Sequence, residues 1–330
     1  MPEALLEVRD LSKTFRERSG LLRRREGWAV EAARGVSFSL RQGESVGIVG
    51  ESGSGKTTVA RMLVGLEEPS GGSIEIDGTP VAGSPDAKER RERARVLQIV
   101  FQDPYTSLDP RQTIGAMLTE VQSVHFNRSD SECEARTQAL LDAVGLGVRE
   151  GRSLPRELSG GQRQRAAIAR ALAAEPRALV LDEAVSALDV SVQAQILNLL
   201  ADLRREFQLT YLLISHDLAV VRQLCDEVLV MYRGRVVEVG PVARILAQPR
   251  HPYTARLLAS VPQPGMELQS RRTNSIEAEP GACCFSTRCE SVFERCVEEP
   301  PLLSIQGDHR ARCWLCDAAQ GEPSDKGAEQ

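Results

Sequence analysis

A chain of 330 residues has room for one large α/β domain and a modest appendage. Its net charge of −5, with 26% charged residues, lacks the basic excess that nucleic-acid binding favours, so nucleic acid is not an expected partner. No run approaches the ~18 apolar residues of a spanning helix, and Met1-Pro2-Glu3-Ala4 lacks the basic-then-apolar pattern of a signal peptide, so a cytosolic protein is expected, with membrane contact made through a partner.

In chain order, Leu5-Leu6-Glu7-Val8-Arg9-Asp10-Leu11 alternates as an opening strand, with Phe15 exposed or stacking beyond its end. Arg16, Arg18, Arg23, Arg24 and Arg25, around Gly20 and Gly27, read as a solvated loop before a strand Val36–Leu40; a membrane-surface or partner role is the alternative. The apolar run Ser45–Val49 then leads into Gly50-Glu51-Ser52-Gly53-Ser54-Gly55-Lys56-Thr57, with Thr58 next and a helical pattern over Val59–Val64. Strand, glycine loop and helix together make a phosphate cradle. The glycines let successive N–H groups turn inward, Lys56 reaches the β/γ-phosphates, and Thr57 is placed for Mg²⁺ at the positive end of the helix.

Further on, Gly71–Gly78 reads as turn-strand-turn, Ala87–Arg95 as a charged surface helix, and Leu97–Phe101 as a buried strand ending at Gln102. From residue 103 to about 163 the pattern turns helical, with Thr113–Val124 and Ser131–Val144 amphipathic. Arg156-Glu157-Leu158-Ser159-Gly160-Gly161-Gln162 opens another helix, Arg163–Ala174, whose start is a second anion-binding arrangement. The buried strand Ala178–Leu181 ends on Asp182-Glu183, where an α/β enzyme places metal and catalytic groups. Tyr211–Ser215 and Val228–Tyr232 are expected to complete the core, and His216 ends the first of them.

The ordered set of phosphate loop, Gln102, Leu158-Ser159-Gly160-Gly161-Gln162, Asp182-Glu183, Ser186-Ala187-Leu188-Asp189 and His216 resembles the ATP-binding subunit of an ABC transporter over nearly the whole chain. The resemblance implies an α/β fold: a P-loop NTPase core of ABC ATPase type over 1–250, an inserted α-helical subdomain, and a small cysteine-rich C-terminal extension over 251–330. It implies a head-to-tail pair of subunits in which Ser159, Gly160, Gly161, Gln162 and Asp189 of one act on ATP held by the other. It implies further that Asp182 backs the Mg²⁺, Glu183 polarises the attacking water, His216 contacts the γ-phosphate, and Gln102 touches Mg²⁺ and water. Phe15 resembles the aromatic that stacks on adenine, with Trp28 as its rival.

Phe101–Arg111, Val190–Gln195 and His251-Pro252-Tyr253-Thr254 before a cysteine-bearing tail are similar to importers of oligopeptides and dipeptides, whose relatives carry nickel or other small solutes. The implied partners are two transmembrane permease subunits, a second ATPase subunit, expected to be a paralogue, and an extracytoplasmic solute-binding protein. The implied location is peripheral, on the cytoplasmic face of the membrane. The alternative, an ABC ATPase acting on ribosomes or DNA, usually carries two nucleotide domains or a long coiled-coil insertion, and this chain shows neither.

Val261-Pro262-Gln263-Pro264-Gly265 and the polar stretch Met266–Gly281 read as a linker. Six of the eight cysteines follow it, and Cys283, Cys289, Cys296 and Cys313 are separated by five, six and sixteen residues. With Phe285 and Arg288, this resembles the pattern that holds a 4Fe–4S cluster in some members. Zinc is an alternative, although only Cys313-Trp314-Leu315-Cys316 offers its two-residue spacing; free thiols or a disulfide are the others. Without a metal, a tail this poor in apolar residues is expected to have little core.

Overall fold

The computed structural model describes residues 4–16, 29–81, 86–186, 188–260, 279 and 281–317. Trp28, most of the arginine-rich loop, Ala187 and most of the 261–281 linker lie outside the described residues. The chain opens with β1 (Ala4–Arg16), β2 (Ala29–Arg41), β3 (Ser45–Val49), α1 (Lys56–Leu63), β4 (Gly71–Ile76), β5 (Thr79–Pro80), α2 (Ala87–Ala94) and β6 (Leu97–Val100). Helices α3 (Ile114–His125), α4 (Asp130–Ala143), α5 (Val148–Arg152) and α6 (Gly160–Leu172) follow. Then come β7 (Ala178–Asp182), α7 (Val190–Phe207), β8 (Thr210–Ser215), α8 (Leu218–Leu224), β9 (Glu227–Tyr232), β10 (Arg235–Pro241), α9 (Val242–Ala247) and α10 (Pro252–Ala259). The tail adds β11 (Leu303–Gln306) and β12 (His309–Ala311).

Eight strands form one sheet in the order β11-β12-β10-β9-β3-β8-β7-β6, and a second, four-stranded sheet runs β2-β1-β4-β5. From β9 to β6 the large sheet is parallel, and β10 to β11 extend it antiparallel. Its central strands read as unbroken apolar runs because both faces are covered. In β8, Leu212 and Ile214 enter the core under the small sheet and α1, while Tyr211 and Leu213 enter the core shared with α3, α4 and α6–α8.

Local signals account for the helix starts. Thr113 accepts the Ala116 amide to open α3, and Ser129 and Glu132 close a reciprocal cap on α4. The helix expected from Arg163 begins at Gly160, because Ser159 and Gln162 form the same kind of cap. Phe15 lies inside β1, which runs on to Arg16, and β2 starts at Ala29, seven residues before the expected strand. Both are longer because each supplies the other's hydrogen bonds, Phe15 facing Val30 and Arg16 facing Ala29.

The expectation of a tail with little core is overturned. Cys283, Cys284 and Phe285 are buried in the main core, where the Phe285 ring meets Tyr232 at 5.2 Å and Tyr253 at 5.5 Å. Strand β12 pairs with β10, placing Ala311 opposite Glu238. Glu238 is fully buried and fully used: its carboxylate accepts the amides of Arg250 (2.8 Å) and His251 (3.0 Å) and meets His309 Nε2 at 2.7 Å. A buried carboxylate is tolerated only when its lone pairs are matched in this way.

His251, 1% exposed, caps α10 by accepting the Tyr253 amide at Nδ1 (3.0 Å). Burial, assisted by the charge of Arg312, pushes its pKa down from 6.5 to about 4. The unfolded imidazole takes up a proton near 6.5 and the folded one does not, so this contribution is complete above pH 6.5 and is lost as pH falls towards 4. Urea unfolding of the parent should therefore weaken over that window by up to ~1.4 kcal/mol per pH unit, and His251→Asn, which can still cap, should flatten the slope. Parallel pH profiles for the two proteins would remove His251 from this role.

Candidate active site

Strand β3 delivers the glycine loop to the carboxyl edge of the sheet. A Cβ on Gly50 would lie 2.2 Å from the Met231 carbonyl, so the loop can turn there only without a side chain. Gly55 adopts φ 102° as the residue before α1, and a Cβ on it would lie 1.9 Å from the Ala32 carbonyl of β2. Lys56, 4% exposed, donates to the carbonyls of Gly50 (2.8 Å) and Glu51 (3.0 Å). Desolvation lowers its pKa, and the nearby carboxylates of Glu183, Asp182 and Glu51 oppose that shift.

Thr57 Oγ1 donates to Asp182 Oδ1 at 3.1 Å, which ties the start of α1 to the end of β7. Burial raises the Asp182 pKa, and the Thr57 hydrogen bond counters it. Glu183 follows in the left-handed region at φ 48°, unusual for a non-glycine residue, and its amide is held by the Ile214 carbonyl at 2.9 Å. Its carboxylate stands 3.4 Å from His216 Nδ1, and the His216 side chain is 54% exposed. Gln102 Nε2 reaches Ser186 Oγ at 3.2 Å.

A cleft of about 670 Å³ gathers Phe15, Ser52, Gly53, Gly55, Lys56, Thr57, Thr58, Gln102 and Glu183. Phe15 lines this cleft, with Lys13 Nζ 5.0 Å from its ring centre, while its rival Trp28 lies outside the described residues. Val30, Glu31 and Arg34 of β2 and Arg233 of the β9–β10 turn also line it; sequence reasoning missed them, because β2 is placed by pairing with β1 and by the Arg34 amide on the Gly234 carbonyl, contacts distant in sequence. Ser159, Gly160, Gly161, Gln162 and Asp189 are not in this lining. Ser159 and Asp189 are exposed, and Gly161 presses on α7, where a Cβ would lie 2.7 Å from Val192 Cγ1. Thr57 and Gln102, backed by Asp182, form an oxygen-rich donor set at a helix start that suits Mg²⁺.

The expected metal site at Cys283, Cys289, Cys296 and Cys313, whether 4Fe–4S or zinc, is not supported. Among the described residues no three Cys, His, Asp or Glu side chains converge as ligands of a metal ion. Cys283 and Cys284 sit in the core and Cys289 and Cys296 pack against it, and burial pushes the Cys283 thiol up to about 11 and that of Cys284 to about 12. Cys313 instead shares a hydrogen bond with Cys316, which raises its own pKa and lowers that of Cys316.

Comparison with known proteins agrees with this architecture. The ABC transporter family model matches residues 33–186, and the oligopeptide/dipeptide transporter, C-terminal region, matches residues 237–296. The chain is 42% identical over 319 residues to the di/tripeptide transport ATP-binding protein DppF of Pseudomonas aeruginosa, covering 94% of this chain and 97% of that protein. The chain belongs to the ABC transporter ATP-binding family. It is 42% identical to the oligopeptide transport ATP-binding protein AppF of Bacillus subtilis over 95% of this chain and 98% of that one. Among solved structures, the ATP-binding cassette MJ0796, a post-hydrolysis dimer bound to ADP and Pi, superposes with TM-score 0.64 at 28% identity over 72% of this chain and 98% of its own. CbiO1 of Clostridium perfringens, part of the complex cbiONQ, gives TM-score 0.64 at 29% identity over 74% of this chain and 92% of its own. As an ABC ATPase, the protein binds and hydrolyses ATP.

The Gly55 contact yields a direct check. Gly55→Ala must displace either the Ala32 carbonyl or the loop, so ATP affinity measured by calorimetry should fall at least about tenfold, while far-UV circular dichroism stays unchanged. Parent-like affinity would mean that the loop relaxes freely.

Proposed function

We propose that this chain powers an importer of oligopeptides or dipeptides, pairing head to tail with a second ATPase subunit on the cytoplasmic face of two permease subunits fed by an extracytoplasmic solute-binding protein. The observation that carries the pairing is the separation within one chain: the cleft holds the phosphate loop, Gln102 and Glu183, while the helix start at Ser159 faces outward elsewhere. The peptide assignment rests on the C-terminal region match and on relatives named for peptide transport; nickel or another small solute is the alternative cargo. None of the described helices is long and apolar enough to cross a membrane. On this reading 1–250 is the nucleotide-binding domain, its helical insert spans about 103–163, and 251–330 is the extension.

The residues divide the chemistry as follows. Phosphoryl transfer to water needs positioned charge and an oriented nucleophile rather than a covalent intermediate. Lys56 leaves the carbonyls of Gly50 and Glu51 for the phosphates, and Phe15 stacks on the base. Thr57 and Gln102, with Asp182 behind them, would hold Mg²⁺, which when bound would supply positive charge against the phosphates. Glu183 accepts a proton from the water that attacks the γ-phosphorus, ADP departs, and His216, beside Glu183, donates to the γ-phosphate. Ser159, Gly161 and Asp189 complete the site of the opposite subunit.

Glu183→Gln keeps the size and removes the base. ATP should still bind, hydrolysis in the assembled transporter should fall on the order of a hundredfold or more, and uptake of labelled dipeptide should stop. Near-parent turnover would take Glu183 out of the role, and uptake of nickel alone by the parent would reassign the cargo.

Ser159→Arg tests the composite site. The isolated subunit should bind ATP as the parent does, while the assembled pair loses hydrolysis at the site facing the substitution. Loss of binding by the monomer would contradict the proposed geometry.

A further inference from the structure

The second residue of the glycine loop is held from three sides. The Glu51 amide donates to the Tyr253 hydroxyl of α10 at 2.8 Å, and its carbonyl accepts from Lys56 Nζ at 3.0 Å. Its carboxylate takes both terminal nitrogens of Arg288 at 2.8 and 2.9 Å, across 237 positions of sequence. Arg288 belongs to the cysteine-rich extension, in the turn between Phe285, anchored in the core, and Cys289. The Arg288 side chain is only 10% exposed and lies 5.6 Å from the Tyr232 ring centre, so the fork has little freedom. Planar two-point pairing of this kind fixes geometry as well as charge.

From this we infer that Arg288 is a positioning residue for ATP: the C-terminal extension reaches into the nucleotide site through Arg288 and Glu51 and holds the phosphate loop in its binding shape. The physics is preorganisation. Fixing the backbone of about one residue costs enough entropy to change affinity roughly tenfold, and a loop already held by Arg288 and Tyr253 does not lose that freedom when the triphosphate arrives. Neither Arg288 nor the Glu51 carboxylate is assigned a contact with the reacting phosphorus, so the effect should fall on binding and spare the chemical step. A rearrangement of the cysteine-bearing turn would reach the phosphates by the same route.

The inference rests on ATP binding at the loop, and Lys56→Ala, which should abolish binding by itself, separates failure of the site from failure of the tether. The experiment compares full-length parent, Arg288→Ala, Glu51→Ala and the double variant, with ATP titrated in the presence of Mg²⁺ by calorimetry and hydrolysis followed in the assembled transporter. Each single variant should weaken ATP about tenfold and raise KM, with kcat within about twofold. The double variant should be no weaker than either single, because the two residues act as one pair. Arg288→Lys should recover part of the loss. Should Arg288→Ala fail to fold, Glu51→Gln decides, since the Glu51 side chain is 43% exposed and the substitution keeps its size while removing its charge. Singles within twofold of the parent, losses that multiply in the double variant, or a loss confined to kcat would overturn the inference.

Discussion

The register of three neighbouring parallel strands governs everything at the site. Val49 of β3 stands opposite Ser215 of β8, and Asp182 of β7 stands opposite Ile214, so the three strands stop at nearly one level. Gly50, His216 and Glu183 are the residues that follow, and they therefore meet at one edge. Every residue of these strands is buried, so a slip by one position would turn each side chain into the wrong core. Close packing locks the register: a Cβ on Gly47 would lie 2.7 Å from Val221 Cγ1, leaving α8 no room to slide over β3.

Onto that edge the sequence places an electrostatic imbalance. Helices α2 and α4 close their first turns with a glutamate, which spends the exposed N–H groups and the positive end of the dipole on the chain itself. Helices α1 and α6, which the glycine loop and the Ser159 motif open, have no acidic residue in the first turn, as is also true of α3 and α7 to α10, and α6 carries the reciprocal Ser159–Gln162 cap. Beside α1, burial lowers the Lys56 pKa and raises that of Asp182, so the charged form of each is held at a cost, and an anion placed beside Lys56 stabilises its ammonium.

Much of this was legible because the motifs are local. A buried strand, a glycine loop and a helix follow one another within a dozen residues, and the boundaries of β3 agree with the apolar run that announces it. The carboxylates that end β7 were readable for the same reason. What escaped depends on contacts distant in sequence. Strand β10 carries a glutamate at its centre, Arg235-Val236-Val237-Glu238-Val239, and nothing local says that His309 and two amides will meet it. Val30 and Arg233 gave no sign of lining the cleft, since Val30 is brought there by pairing with β1 and Arg233 by the turn after β9, whose Gly234 amide bonds the Ser54 carbonyl. The cysteine spacing suggested a metal because spacing is what sequence displays; that Cys283 and Cys284 fill the core beside Tyr232 and Tyr253 follows only from the docking of the tail.

Glu238 explains why that docking is specific rather than merely adhesive. Apolar contacts around Phe285 would tolerate small slides and rotations of the tail, because burial rewards area and not direction. A fully buried carboxylate does not: any shift of β12 or of the start of α10 that removes one of its three partners leaves charge unmatched in the core. The pairing of Ala311 with Glu238 fixes where β12 lies, and the bond to the His251 amide fixes where α10 begins. Tyr253 is then two residues into a helix whose origin is set, and its hydroxyl arrives at the Glu51 amide. A single buried acid thus transmits the position of the tail to the phosphate loop through hydrogen bonds that each admit one geometry.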